Sequence, residues 1–206
     1  MARPTRARSD RMHEVAASNA IARHEQHSGV AVTFPVPVEL MIEDTYGLTI
    51  LWDEIPEPRG STILGALAPS DKTIVLNARH EDIFERFVGP LQFTLAHELA
   101  HWIYDADPPG QQQLDVGAVR EQFCYHREST GLSNTLRLRE INANKFASHL
   151  LMPTYLMKRE PVDDLLEDVR GHASRLGVST TALWYRLEGM DLVDQADAEA
   201  AGLGWV

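Results

Sequence analysis

Two histidines and a glutamate near the middle of the chain have the spacing of a metal site with a base beside it. His97, Glu98 and His101 form an H-E-x-x-H motif. On a helix, side chains four residues apart share one face, so both imidazoles can bind one zinc ion with Glu98 beside it as general base. The surrounding residues are mostly apolar, which predicts a buried helix whose polar groups need a partner. The motif therefore predicts a catalytic zinc site.

A third ligand is needed, because catalytic zinc normally has three protein ligands and one open position for water. One candidate is Asp107, which follows His101 at the spacing of the third ligand in H-E-x-x-H-x-x-G-x-x-H. Tyr104 stands where that motif has its glycine, so the sharp turn that would return Asp107 to the metal is harder to form. Asp107 is therefore the weaker of two candidates.

The stronger candidate is Glu140, which lies in a second predicted helix. One face of that helix carries Glu140, Ala143, Asn144 and Ala147. The small side chains on this face allow it to approach the motif helix closely. Asn144, one turn beyond Glu140, is placed to orient a ligand through a hydrogen bond. The sequence therefore favours Glu140 as the third ligand.

Apolar spacing and turn residues place these candidates in a mixed α+β fold. The predicted helices that matter for the site are 91–104, which carries the motif, and 138–152, which carries Glu140. The predicted strands are 48–52, 62–67 and 73–77. We expect them to form a small antiparallel sheet packed on the motif helix, as in a zincin-like domain.

The chain divides into four parts by composition and pattern. Residues 1–29 form an arm that is mobile at its arginine-rich start and can include a helix. Residues 30–153 form the zincin-like domain. Residues 154–193 form a small helical unit with the spacing of a helix-turn-helix, and residues 194–206 form an acidic tail.

The charge of the chain argues against nucleic acid and membranes as main partners. The formal net charge is −11, and residues 161–206 contain three Arg against nine acidic residues. The second helix of the helix-turn-helix-like unit offers one cation, Arg186, so we expect the unit to support or dock a protein. The single cysteine, Cys124, and the lack of an apolar leader or membrane-length run predict a cytoplasmic protein.

Two stretches resemble the ImmA/IrrE family of zinc peptidases. They are FTLAHELAHW at residues 93–102 and EINANKFASHLLMP at residues 140–153. The resemblance extends over about residues 37–193 and includes the leading helix, the small sheet and the helical C-terminal part. It implies a cytoplasmic, gluzincin-like metallopeptidase that cleaves a specific protein, typically a DNA-binding repressor.

The resemblance also implies roles for individual residues. It makes His97 and His101 zinc ligands and Glu98 the general base. It makes Glu140 the third ligand, and the spacing of Glu140 to Asn144 agrees with that choice. Asn142 is a departure, because many relatives have a second acidic residue there.

Two functions of different classes fit these patterns. The first is a zinc-dependent endopeptidase that cleaves a regulatory protein, with strand 73–77 as an edge that holds the extended substrate. The second is a zinc-containing binding module that docks a partner without cleaving it. Glu98 favours the enzyme, because a pure binder has no use for a carboxylate beside the metal.

A donor for the oxyanion of the reaction is harder to identify. Tyr104 shares the histidine face, and Tyr125 and His126 lie in the following polar loop. His149 is excluded, because nine residues of helix place it on the face opposite Glu140. None of these candidates stands out from the sequence.

Overall fold

The computed structural model describes residues 8–59, 61–105, 134–194 and 196–197. It is a mixed α+β structure with a small three-stranded sheet and mostly helices, as predicted. The helices are α1 (Asp10–Ser28), α2 (Val38–Leu40, continued by a π-turn over Met41–Thr45), α3 (Glu81–Arg86), α4 (Pro90–Asp105), α5 (Asn134–Leu151), α6 (Thr154–Met157), α7 (Val162–Glu167), α8 (Val169–Leu176) and α9 (Thr180–Glu188). The strands are β1 (Thr49–Asp53), β2 (Gly65–Ala68) and β3 (Thr73–Asn77). Among these described ranges, no helix is long and apolar enough to cross a membrane.

Helices α4 and α5 pack side by side at the centre of the molecule. Helix α4 begins at Pro90, where the missing N–H of proline removes no helical hydrogen bond. Alanines on both helices are fully buried: Ala96 and Ala100 on α4, and Ala143 and Ala147 on α5. Because each alanine projects only a methyl group, the two backbones approach closely enough for short polar side chains to meet between them.

The sheet is mixed, so the prediction of a wholly antiparallel sheet is wrong in one pairing. Strand β1 pairs with β3 in parallel, whereas β2 pairs with β3 antiparallel. Residues 54–64, with Pro56 and Pro58, are too long and too proline-rich for a tight hairpin between β1 and β2. The tight connection is instead the short turn over Pro69–Asp71, which joins β2 to β3.

The strand order β1-β3-β2 places β3 in the middle. The prediction that strand 73–77 is an edge that holds substrate is therefore wrong, since β3 already has a neighbour on each side. The edges of the sheet are β1 and β2. Of these, β2 packs against α4, the helix of the motif.

Helix α1 occupies most of the predicted N-terminal arm, and residues 1–7 lie outside the described residues. Its buried face consists of His13, Ala17, Ala20, Ile21 and His24. This face packs mainly against α5. Both buried histidines have polar partners, because the Nδ1 of His13 lies 3.0 Å from the Tyr104 hydroxyl and that of His24 lies 2.8 Å from Thr45 Oγ1.

The C-terminal helices pack into the same core as α4. Leu165, Leu183 and Trp184 belong to one buried cluster with Leu99 of α4. Close contact continues at the start of α4, where a Cβ on Gly89 would lie 2.6 Å from the backbone nitrogen of Ser179. The residue just before the motif helix therefore lies directly against the start of α9.

Arg186 of α9, considered above as a contact to DNA, is buried where α9 meets the start of α6. Its Nε–H donates to the carbonyl of Met152 at 3.0 Å, and its Nη2 donates to Thr154 Oγ1 at 2.9 Å. The guanidinium thus holds the start of α6 and is directed away from solvent. Arg186 therefore does not support DNA binding by α8 and α9.

A buried asparagine fixes the segment between β1 and β2 to the end of β3. Asn77 is fully buried, and its Nδ2 donates to the carbonyls of Ile63 at 2.8 Å and Ile55 at 3.4 Å. Its Oδ1 accepts the backbone N–H of Ile55 at 3.1 Å and that of Arg79 at 3.2 Å. One side chain thus satisfies four backbone groups.

We expect Asn77→Ala to lower the free energy of unfolding by about 2–4 kcal/mol, because it leaves buried backbone groups without partners. Urea denaturation followed by circular dichroism measures this difference. The matched control is Glu54→Gln, which breaks the exposed ion pair with Arg79 in the same region and should leave stability unchanged. Equal effects of the two substitutions would contradict the role given to Asn77.

Candidate metal centre

The H-E-x-x-H motif lies in the middle of α4, and its three polar residues are all buried. The rings of His97 and His101 are 4.8 Å apart between centroids and nearly perpendicular. Their Nε2 atoms lie 3.1 Å from each other. Helical spacing therefore brings two imidazole nitrogens to a common position, as the sequence predicts.

The other nitrogen of each ring is held by a hydrogen bond. His97 donates its Nδ1–H to Asn144 Oδ1 at 2.8 Å, and His101 donates its Nδ1–H to Asp105 Oδ2 at 3.2 Å. Because both partners are acceptors here, each neutral ring carries its lone pair on Nε2. The two lone pairs point at the same place, and a cation between them removes their repulsion.

Glu140 completes a three-residue group that can hold a metal ion. Its Oε2 lies 3.2 Å from His97 Nε2, and its Oε1 lies 3.5 Å from His101 Nε2. A tetrahedral metal ion with ligands at about 2.0–2.1 Å requires about 3.3–3.4 Å between ligand atoms. The distances in this group match that requirement, so the donor set fits a metal in both chemistry and size.

The charges around the histidines also favour a cation. Burial lowers the pKa of His101, but the hydrogen bond to Asp105 raises it. The carboxylates of Glu98 and Glu140 add to that increase, and the pKa reaches about 9 in the metal-free chain. Burial raises the pKa of Glu140, yet its contacts with the histidines lower it below the usual range. The site therefore holds a proton at neutral pH whenever it holds no metal.

Asp105 and its partner Arg139 also belong to the site, although neither was predicted from the sequence. Asp105 lies one helical turn after His101, the spacing that was used to pair the two histidines. Arg139 precedes Glu140 on α5 and places its Nε 3.1 Å from Asp105 Oδ2. This ion pair links Asp105, which holds His101, to α5, the helix that carries Glu140. The four-residue spacing was the signal that could have identified Asp105.

The remaining candidates from the sequence lie elsewhere or outside the described residues. Asp107, Tyr125 and His126, like Cys124, are not among the residues that the structure describes. The hydroxyl of Tyr104 is bound to His13 of α1 and not directed at the histidine pair.

His149 faces away from the metal-ligand group, as the sequence analysis expects. Its ring stacks on that of His13 at the α1–α5 contact, with centroids 6.4 Å apart. Burial, assisted by the positive charge of Arg186, lowers the pKa of His149 to about 4. This imidazole is therefore neutral and belongs to the packing of α1.

Edge strand β2 comes very close to the motif helix. A Cβ built on Gly65 would lie 2.5 Å from Thr94 Cγ2 and 3.5 Å from Glu98 Cγ. Only glycine allows the strand to lie this near the helix. As a result, the backbone of an edge strand runs directly beside Glu98.

The raised pKa of His101 predicts how stability depends on pH in the metal-free protein. A histidine whose pKa rises on folding stabilises the fold below its unfolded pKa of about 6.5, and this contribution is lost as pH rises through about 9. In the presence of a chelator, the free energy of unfolding should fall by up to about 3 kcal/mol between these limits. Urea denaturation across this pH range measures the decrease.

Asp105→Asn is the control, because the amide cannot hold the imidazolium as the carboxylate does. This variant should show a smaller decrease with pH. The same decrease in both proteins would contradict the role of Asp105, and constant stability of the wild type would contradict the raised pKa.

Comparison with known proteins agrees with the geometry of this site. The family model of the IrrE N-terminal-like domain, from peptidase family M78, matches residues 60–188, which is more than half of the chain. The matched region includes β2, the motif on α4 and the carboxylate on α5. No curated protein matches the sequence at a significant level. The family match confirms the resemblance found in the sequence, and the chain belongs to the peptidase family M78, with an IrrE N-terminal-like domain.

Proposed function

We propose that the protein is a zinc-dependent endopeptidase that cleaves one regulatory protein, a DNA-binding repressor. The observation that carries the proposal is the buried Glu98, which lies on the ligand helix between the histidine pair and edge strand β2. A metal group used only for structure has no need of an extra buried carboxylate and a neighbouring strand edge. Membership of a peptidase family supports a protein substrate.

Each residue of the site has a separate role in the proposed reaction. His97, His101 and Glu140 would hold zinc, which when bound supplies a Lewis acid for the peptide carbonyl and lowers the pKa of water. Glu98 accepts a proton from the attacking water and passes it to the leaving amine. Asn144 and Asp105 keep the Nδ1 atoms of the histidines protonated, so that both Nε2 atoms remain available as ligands.

Edge strand β2 would position the substrate. In the described part of the chain, β3 occupies one side of β2 and no strand occupies the other. An extended peptide can pair with such an edge through main-chain hydrogen bonds. Because Gly65 lies against Glu98, a peptide on this edge passes beside the proposed base. This role replaces the one that the sequence analysis gave to β3.

Charge favours a basic protein over DNA as the partner. The chain carries a formal net charge of −11, which repels phosphates and attracts the positive surface of a DNA-binding protein. Arg186 is held inside the interface with α6, so α9 does not present it to a duplex. We therefore propose that the protein does not bind nucleic acid strongly and that it acts in the cytoplasm, where such repressors act.

The metal assignment predicts one zinc per chain. Glu140→Gln should weaken zinc binding by more than about 100-fold, whereas loss of the orienting hydrogen bond in Asn144→Ala should weaken it about 10–100-fold. Competition with a chromophoric chelator measures both affinities. Asp107→Asn is the matched control and should bind zinc as the wild type does. A strong loss in Asp107→Asn with none in Glu140→Gln would instead identify Asp107 as the third ligand.

The catalytic assignment predicts that Glu98→Gln retains zinc and the partner but loses at least about 100-fold in cleavage rate. Tagged wild-type protein and tagged Glu98→Gln protein are each expressed with the repressors of the same cell. The wild type should co-purify with fragments of its partner, and Glu98→Gln should co-purify with the intact partner. Mass spectrometry distinguishes the two. Equal cleavage by both proteins would remove Glu98 from its role. An intact partner with both would favour a binding module that does not cleave.

A further inference from the structure

Among the described residues, no strand pairs with the outer edge of β1, whose backbone is aligned for pairing with another strand. The N–H of Thr49 donates to the carbonyl of Lys72 at 2.8 Å, which fixes the hydrogen-bond phase of the parallel β1–β3 pair. In a parallel pair, alternate residues bond to the same neighbour. Ile50 and Trp52 therefore direct their N–H and C=O groups outward, and no described strand meets them.

The side chains of β1 are unusually exposed for a strand of this apolar composition. Leu51 is 50% exposed and Trp52 is 45% exposed. The ring of Trp52 packs edge-on against Phe84 of α3, with centroids 5.3 Å apart. Natural proteins usually protect an apolar edge strand, because its free backbone groups attract other strands. An open edge of this kind is typical of a surface that binds an extended segment.

Acidic residues lie at the end of β1 and on α3, the helix that packs on Trp52. Exposed carboxylates follow the strand and line the helix on which Trp52 packs: Asp53, Glu81, Asp82 and Glu85. Of the nearby cations, Arg79 pairs with Glu54, and the four carboxylates outnumber Arg86, which lies on the same helix as three of them. The edge therefore combines apolar side chains with a negative rim.

We propose that the outer edge of β1 binds an extended, positively charged segment of the substrate protein as a fourth strand of the sheet. The inference rests on the proposed function for the identity of the partner. Apolar residues of the segment contact Leu51 on one face of the sheet, and its Lys or Arg residues extend over Trp52 toward the carboxylates of α3 on the other face. A second copy of the chain fits less well, because its own β1 would bring a second acidic rim to the first.

The proposed docking edge on β1 is separate from the edge of β2, where the substrate would be cleaved. Strands β1 and β2 lie on opposite sides of β3, so about 10 Å of sheet separates them. A substrate bound at β1 leaves the β2 edge free for the bond to be cut. Recognition by charge and strand pairing at one edge can then select a protein whose scissile segment has little sequence preference.

Binding of defined peptides to full-length Glu98→Gln protein tests the proposal without cleavage. The probe is a fluorescein-labelled ten-residue peptide of alternating Lys and Val, measured by anisotropy. The same Lys–Val peptide methylated at every backbone nitrogen keeps the charge but has no backbone N–H to donate, and a Glu–Val peptide reverses the charge. We expect only the unmethylated Lys–Val peptide to bind, with affinity that falls at least about 10-fold between 50 and 300 mM salt.

Two substitutions of Trp52 distinguish the effect of losing its outward N–H from the effect of losing its indole side chain. Trp52→Val keeps the outward N–H, whereas Trp52→Pro removes it without breaking a bond to β3. Trp52→Pro should bind the Lys–Val peptide about 2–10-fold more weakly than Trp52→Val, as expected for one lost hydrogen bond. Zinc content and thermal melting establish that both variants are folded. Should Trp52→Pro fail to fold, charge reversal of Glu81, Asp82 and Glu85 to Lys must abolish binding instead.

Equal binding of the Lys–Val peptide and its N-methylated form would overturn strand pairing, and binding of the Glu–Val peptide would overturn the role of the rim. No peptide binding together with concentration-dependent dimerisation would identify a second copy as the occupant. These outcomes do not depend on Glu98, so they are distinct from a failure of cleavage by the wild-type protein.

Discussion

The structure depends on one electrostatic constraint: two imidazole lone pairs and a carboxylate meet within about 3.5 Å of one another in a buried position. Such a group is stable only with a cation, and its geometry is kept by the packing around it. Buried alanines on α4 and α5 allow these two helices to pack closely. Asn144 and Asp105 then fix each ring, and Arg139 ties Asp105 back to α5. A larger side chain at any of these alanines would move Glu140 away from His97 and His101.

The parts of the fold that the sequence predicted best are those with strong local signals. The motif helix and the Glu140 helix both combine helical spacing with a proline at one end, and the structure places them over α4 and α5. The placement of Asn144 on His97 follows from the same spacing. Local periodicity fixes which residues share a face, and here the shared faces are also the faces that meet.

The parts that the sequence could not predict depend on contacts between distant segments. Nothing local says that β3 inserts between β1 and β2, because strand order is decided by how residues 54–64 cross the sheet. The buried face of α1 consists largely of alanine and histidine, so it lacks an apolar stripe. The sequence suggested that Arg186 is a surface cation, yet its guanidinium donates hydrogen bonds to the backbone carbonyl of Met152 and the hydroxyl of Thr154. Only the tertiary structure supplies those acceptors.

The sheet and the helices have different tasks in this arrangement. The two central helices hold a rigid group of polar atoms, whereas the sheet offers two backbone edges on either side of β3. Asn77 anchors the segment between the edge strands, so the edges keep fixed positions relative to α4. Gly65 brings one edge against Glu98, while the other edge carries Trp52 and a rim of carboxylates. Because a rigid sheet joins the two edges, a protein bound at β1 would have its neighbouring residues confined near His97, His101 and Glu140.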